Sequence, residues 1–276
     1  SSSNSFFSNL IQGKIMKNII LAVITVSLVF GLGIIISAQK APKGLMIYLP
    51  FDEGKGDTSK DLSGNGYKAE LLNGAKFSKN GAPNYGSGAE MVGGSSVATV
   101  EEFDLKPVKS TNEITIGAWF NVVEHNQWDG IVSIEIPGGD CCEYRLMLNQ
   151  DPKPKTFWNM GHHQDKTGNF VFDLKKWYHY AMTYDGKNAL IYVDGKKVDE
   201  SAEGIKLPTE PGLFMVGAGE KPGTWAMEGG VIDEVFVVNR ELQSDELKDI
   251  MNKGVIMAVD PKKKLAITWG TVKTEY

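Results

Sequence analysis

Asp233 and Glu234 interrupt an otherwise apolar run, Val231-Ile232-Asp233-Glu234-Val235-Phe236-Val237-Val238, which follows the pair Gly229-Gly230. β-Branched and aromatic residues in this density read as a strand. Strand side chains alternate, so Val231, Asp233, Val235 and Val237 are expected on one face and Ile232, Glu234, Phe236 and Val238 on the other. Each carboxylate then sits in an apolar row. Taken out of water without a partner it costs several kcal/mol, so it requires a cation, a set of donors or an escape to the strand end. A bound metal meets that requirement at Asp233. A second oxygen-rich stretch, Asp61-Leu62-Ser63-Gly64-Asn65-Gly66, supplies Asp61 and Asn65 in a loop whose backbone can turn carbonyls inward. Hard oxygens in a flexible loop suit calcium better than zinc or magnesium. The same residues also build ordinary turns.

Sugar recognition combines a ring on which the C–H face of a pyranose can pack with planar polar groups that take its hydroxyls. Trp128-Asp129, Tyr144, Arg145, Trp158 and His162 all fall in the middle of the chain, where loops between strands can meet at one rim. They are the ligand-binding candidates. His162-His163 is a poor transition-metal pair, because adjacent residues diverge and no further His or Cys lies at ligand spacing. No Gly-x-Ser-x-Gly occurs to carry a nucleophilic serine. Cys141 and Cys142 are adjacent, leaving a strained ring between neighbours, free thiols or a link to another molecule. The ring, favoured in an exported chain, would stiffen the Gly138-Gly139-Asp140 loop beside Tyr144 and Arg145.

These residues need a scaffold. Leu45–Phe51, Ile114–Val122, Gly130–Ile134, Tyr144–Leu148, Trp177–Tyr184, Ala189–Val193 and Leu213–Gly217 read as short strands separated by glycine-rich or polar turns. Asp185-Gly186 and Asp194-Gly195 are hairpin turns. One helix is expected, capped by Ser244, with an apolar stripe of Leu247, Ile250 and Met251 and a stop at Gly254. Many strands without strand–helix alternation predict an all-β, two-sheet antiparallel jelly-roll sandwich. A chain of 276 residues, 42% hydrophobic and 23% charged, has the material for such a core.

Lys14 and Lys17 precede the apolar run Ile19–Ile36, and Ser37-Ala38-Gln39 offers a cut after Ala38, so residues 16–38 read as a signal peptide or an uncleaved anchor. Residues 1–15 are an upstream extension. Both outcomes place the remainder outside the cytoplasm: periplasmic, at the cell surface or extracellular. A net charge of −5 gives no reason to expect a nucleic-acid partner. Contact with a membrane is expected only through the N-terminal run. The tail, 254–276, carries Lys262-Lys263-Lys264 and the strand-like Leu265-Ala266-Ile267-Thr268-Trp269.

Several stretches taken together resemble the LamG-like, concanavalin A-like jelly-roll domains of secreted bacterial proteins. They are Leu49-Pro50-Phe51-Asp52-Glu53 with Asp61–Gly66, Thr115-Ile116-Gly117-Ala118-Trp119-Phe120, Trp177–Tyr180 with Thr183–Gly186, Ile191–Gly195, and Gly230–Val235 through Asn239-Arg240-Glu241-Leu242. They keep the family's order and set the domain at residues 44–253. The resemblance implies adjacent first and last strands and a structural calcium near them, held by Asp52, an oxygen from Asp61–Asn65 and Asp233. Related glucanases carry Glu-x-Asp-x-x-Glu on one strand, which gives retaining hydrolysis its two nearby carboxylates. Glu102-Phe103-Asp104 begins that pattern but runs into Pro107, and Asp233-Glu234, as strand neighbours, are expected to diverge. The expectation is therefore a non-enzymatic module that binds glycan or an extracellular protein. A structural or surface-display protein is the alternative, and a glycoside hydrolase the third reading.

Overall fold

The computed structural model of the protein describes residues 41–125, 127–137, 144–149, 153–161, 165–202 and 204–256. In chain order the elements are β1 (Leu45–Leu49), β2 (Thr58–Lys60), β3 (Lys68–Leu72), β4 (Lys76–Ser78), β5 (Gly88–Met91), β6 (Val97–Phe103), α1 (Val108–Thr111), β7 (Ile114–Glu124), β8 (Asp129–Glu135), β9 (Tyr144–Leu148), β10 (Lys155–Asn159), β11 (Lys166–Val171), β12 (Tyr178–Tyr184), β13 (Asn188–Val193), β14 (Lys196–Ala202), β15 (Gly212–Val216), β16 (Gly229–Val238) and α2 (Ser244–Lys253). The first sheet runs β14-β13-β12-β7-β16-β5-β4, with β1 also paired to β16; the second runs β11-β10-β9-β8-β15-β6-β3-β2. All pairings are antiparallel among the described strands, and the sandwich is the expected two-sheet jelly roll. The first and last strands are neighbours, with Tyr48 opposite Phe236 and Leu49 opposite Val235.

Inward residues of both sheets fill one apolar core, including Ile47, Leu49, Phe51, Phe103, Ile116, Phe120, Phe214, Val235 and Val237. A second cluster lies outside the first sheet, where α2 covers it: Tyr48, Ala181, Phe236, Val238 and Leu242 meet Leu247, Ile250 and Val255. Each fully buried aliphatic side chain contributes about 1.5–3 kcal/mol, so this stripe is what fixes the helix. The helix begins one residue earlier than Ser244 suggested. Gln243 is the cap, and its N–H donates to Glu246 at 3.1 Å while Arg240 grips the Glu246 carboxylate through both Nη atoms, at 2.9 and 2.6 Å. Gly254 ends it with φ +83°. The hairpin turns at Asp185-Gly186 and Asp194-Gly195 form as expected, with Asp194 and Gly195 both left-handed.

The face assignment of β16 is corrected by a bulge. Register slips by one residue between Asp233 and Phe236 opposite Trp119 and Gly117, and Glu234 takes φ +53°. The extra residue turns both acids to the outer face. Ile232, Val235 and Val237 point into the core, whereas Asp233, Glu234, Phe236 and Val238 point outward.

Candidate functional site

Three connections form a rim on the outside of the second sheet: the β7–β8 loop, the β5–β6 loop and the long loop from Gly217 to Glu228. The long loop lies flat on β8. Gly217 N–H donates to Ile131 O (3.1 Å), Gly130 N–H to Trp225 O (2.8 Å), and Ser133 Oγ to Ala218 O (2.8 Å). The approach leaves no room for a side chain at 130, since a Cβ there would collide with the Ala218 backbone. Trp225 is held at φ +51°, a conformation rare for a bulky residue and sustained by this anchoring. Its ring lies 6.0 Å from that of Trp128, which in turn meets Phe157 edge-on at 4.7 Å. Trp128 and Trp225, both half-buried, border a depression of about 170 Å³ with Gln127, Asp129, Ala226 and Glu228. Asp129 is buried. Its Oδ1 accepts the Glu228 N–H at 3.1 Å and its Oδ2 contacts His125 Nδ1.

Arg145 lies beneath this rim, not on it. The guanidinium is fully buried, 4.5 Å from the centre of the Trp225 ring, and Nη2 donates to Glu135 Oε1 at 2.9 Å. Its Nε and Nη1 have no hydrogen-bond partner among the described residues. Tyr144 and Trp158, expected at the rim, point the other way into the core; Tyr144 Oη donates to Pro208 O at 2.6 Å and Trp158 Nε1 to Ser201 Oγ at 3.1 Å. Strand alternation explains the split, because Tyr144 and Arg145 are neighbours on β9. His162, Cys141 and Cys142 lie outside the described residues. Sequence reading missed Trp225, His125 and Glu228. An aromatic in a glycine-rich loop immediately before a strand was the available signal for Trp225.

The expected cation region lies on the other sheet. Asp233 Oδ2 accepts the Ala82 N–H and Oδ1 the Glu234 N–H, both at 2.8 Å. Tyr48 Oη donates to both Glu234 oxygens, at 2.8 and 3.0 Å. Burial pushes the Asp233 and Glu234 carboxyls up to about 8, and the nearby charge of Asp52 adds to both. The same burial, with the Glu234 charge, pushes Tyr85 up to about 12 and Tyr48 well above its ordinary value. Asp52 Oδ1 accepts the Ser87 N–H at 3.0 Å and reaches so close to Gly86 that a Cβ there would collide with it. A Cβ on Gly81 would fall 2.6 Å from Gly86 O and 2.8 Å from both Asp233 Oδ2 and Ser87 O, so three hard oxygens converge beside that glycine.

Asp61 and Asn65 do not join them. Asp61 accepts Tyr48 N–H (3.0 Å), Ser63 N–H (2.8 Å), Ser63 Oγ (2.7 Å) and Tyr67 N–H (3.3 Å). Asn65 Nδ2 donates to Leu45 O and Met46 O at 3.1 and 2.8 Å. Both pin the turn to the free side of β1, the ordinary role left open for these residues. Among the described residues no three His, Cys, Asp or Glu side chains gather as a metal site. Beside Gly81 one carboxylate oxygen, from Asp233, and the carbonyls of Gly86 and Ser87 make a partly backbone oxygen set of the kind a hard cation takes.

Residues 92–248 match the family described as the Concanavalin A-like lectin/glucanases superfamily. No curated protein sequence matches the chain. Among solved structures, the binding domain of Paraclostridial Mosquitocidal Protein 1 aligns with a TM-score of 0.56 at 16% identity over 76% of this chain and 52% of that one. The binding domain of Botulinum Neurotoxin DC in complex with SialylT gives 0.56 at 13% identity, over 76% and 51%. Trypanosoma rangeli sialidase in complex with sialic acid gives 0.58 at 19%, over 79% and 34%. The chain thus spans about half of the toxin domains and a third of the sialidase, and the likeness concerns the fold. With the family match covering more than half of its length, on a sandwich whose first and last strands pair, this chain belongs to the concanavalin A-like lectin/glucanase superfamily.

Proposed function

We propose that the protein is a non-catalytic carbohydrate-recognition module, and that the sugar sits in the depression between Trp128 and Trp225. The observation that carries this reading is the pair of partly exposed indoles framing a pocket with a buried carboxylate at its edge. Indole faces pack on the C–H face of a pyranose, and the carboxylates of Asp129 and Glu228 can accept its hydroxyls. Arg145 supports the platform from below through its contact with Trp225. Two toxin binding domains, one in complex with SialylT, share the fold and make a recognition role natural for it. The ligand and any extracellular protein partner are proposals of the same kind.

Calcium completes the proposal. The buried Asp233, short of positive charge, and the carbonyls beside Gly81 would hold it together with Asp52. It would serve to neutralise the cluster and tie β16 to the β4–β5 loop. The basic and apolar run at 14–36 supports export. Among the described residues no helix is long and apolar enough to cross a membrane, and the leader lies outside them.

The test is a glycan array on the folded protein, with calcium and again with EDTA. Binding that disappears in Trp128→Ala and Trp225→Ala is expected. No binding under either condition removes the lectin reading, and release of sugar from any β-glucan by the purified protein removes the non-catalytic one.

A further inference from the structure

Asp129 and Glu228 line the depression between Trp128 and Trp225, and no cationic side chain of the described residues lines it with them. The positive groups of the neighbourhood are engaged elsewhere. Arg145 is fully buried beneath Trp225 and gives Nη2 to Glu135, and His125 lies against Asp129 Oδ2. Lys221, on the same loop as Trp225, stands outside the lining. Glu124 pairs with Gly229 across the β7–β16 ladder and so adds a third acid beside Glu228. The depression is therefore negative as well as aromatic.

The backbone of Glu228 is fixed, while its carboxylate is left in solvent. Its N–H donates to Asp129 Oδ1 at 3.1 Å, and the Met227 N–H before it donates to Gly217 O at 2.9 Å. A Cβ on Gly93 would fall 2.6 Å from Glu228 O, so the β5–β6 loop also packs directly on it. The side chain is exposed, and among the described residues no lysine, arginine or histidine forms an ion pair with it. Pinning the backbone lowers the cost of ordering that charge on a ligand.

A sugar bearing a carboxylate would meet like charge here, and the one guanidinium nearby is closed off beneath the ring. A neutral sugar would use the carboxylates only as hydroxyl acceptors. A sugar bearing a protonated amine gains a charge-assisted hydrogen bond to Glu228, roughly twice as strong as a neutral one, and the attraction of an ammonium to an indole face. Trp128 offers the freer face for it, since its ring neighbours are Phe157 and Trp225, whereas Trp225 already carries Arg145 on one side. At about 170 Å³ the depression is smaller than the clefts of roughly 300–1,000 Å³ that take drug-sized ligands, so a single ring is what it admits.

We propose that this depression selects an amino sugar, a pyranose whose free, protonated amine pairs with Glu228 over Trp128. The inference rests on the recognition reading of the same depression and narrows its ligand class.

Isothermal titration calorimetry of the full chain tests it against three β-linked oligomers of equal length, made of glucose, N-acetylglucosamine and glucosamine, at a mildly acidic pH that keeps the amine protonated. The three sugars differ only at C2, as hydroxyl, acetamide and ammonium. The glucosamine oligomer is expected to bind about tenfold or more tighter than the other two. Glu228→Gln should cut that preference to about twofold or less. Glu200→Gln, which removes an equal charge from the exposed edge strand β14, should keep it. Trp128→Ala should weaken binding of the glucosamine oligomer. Equal affinity for all three overturns the inference and leaves the recognition reading standing. A preference that survives Glu228→Gln, is untouched by Trp128→Ala or is lost as fully in Glu200→Gln marks a general attraction of polycations to an acidic chain, and overturns it too. No binding of any of the three overturns the inference, and the glycan array then decides the recognition reading on its own.

Discussion

The two sheets carry different covers. Over the first lies a ten-residue helix whose Leu247 and Ile250 are buried against Phe236, Val238 and Tyr48. Over the second lies an irregular loop, 217–228, held by backbone hydrogen bonds and by Trp225 resting on a buried arginine. The helix hides its apolar side chains, while the loop leaves its largest one partly exposed. Buried charge follows the same division. Arg145 has an anion and an aromatic face, whereas Asp233 and Glu234 have N–H and O–H donors but no cation among the described residues. One cover is built to stay shut on a structural cluster, and the other is built to present a surface.

The strongest way to break this contrast is Leu247→Ala. Removing a fully buried leucine from the helix seam should cost about 3 kcal/mol in denaturant unfolding. A loss below about 1 kcal/mol would mean that the helix is a loose attachment and the two covers are alike. Calcium should have the next largest effect. Added at a hundredfold excess over its Kd it stabilises by about 2.7 kcal/mol if it binds only the folded chain. Asp233→Asn should erase that gain; in the metal-free protein it removes the buried carboxyl but leaves one of the Ala82 and Glu234 N–H groups facing an amide nitrogen, so a loss of about 1 kcal/mol is expected there. A calcium-induced rise in Tm that persists in Asp233→Asn would place the ion elsewhere.

Much of the scaffold was legible in the residues because it rests on alternation and turn chemistry. β9 and β12 fall within a residue of their expected limits, and the Asp-Gly turns sit where they were read. β14 was missed for a physical reason. As an edge strand of sequence Lys-Lys-Val-Asp-Glu-Ser-Ala it needs no apolar face, so it carries no alternating signal. The bulge at Glu234 was equally invisible, because one extra residue reverses the faces without altering composition. At the rim, Trp128 could be named from its residue type, but Tyr144 and Trp158 could not be told from core residues until the register of β9 and β10 was known.

A pH titration sharpens the comparison next. Asp233 and Glu234 hold their protons to about 8 in the folded chain, whereas in the unfolded chain they release them near the ordinary carboxylate value. Between those limits the folded state binds more protons, so metal-free stability falls as pH rises. His179, buried between Trp119 and Phe236, acts in the opposite direction. Burial lowers it to about 4 from 6.5, so the unfolded state binds the extra proton in that window and stability rises with pH there. The two trends oppose each other below pH 6.5 and the carboxylates act alone from 6.5 to 8. A fall in Tm across that upper interval is expected in EDTA, and calcium should flatten it by keeping both acids ionised. A flat profile in EDTA would show that the pair is not buried as an uncompensated site.

Trp225→Ala should produce the smallest change in stability and the largest in recognition. The ring is partly exposed and belongs to none of the apolar core clusters, so its removal forfeits the contact with Arg145, about 1 kcal/mol, and little core packing. Replacing a bulky residue at φ +51° does not relieve the left-handed strain fully, because alanine also disfavours that region. Glycan affinity, by contrast, should drop about tenfold or more, since one of two stacking faces is gone. Trp225→Gly relieves the backbone and removes the same ring, so it should be at least as stable as the alanine variant yet bind equally poorly. Restored binding in the glycine variant would mean that loop geometry, not the indole, is what the sugar meets. A Tm loss as large as that of Leu247→Ala would make Trp225 a cover residue like those of the helix and erase the difference between the two faces.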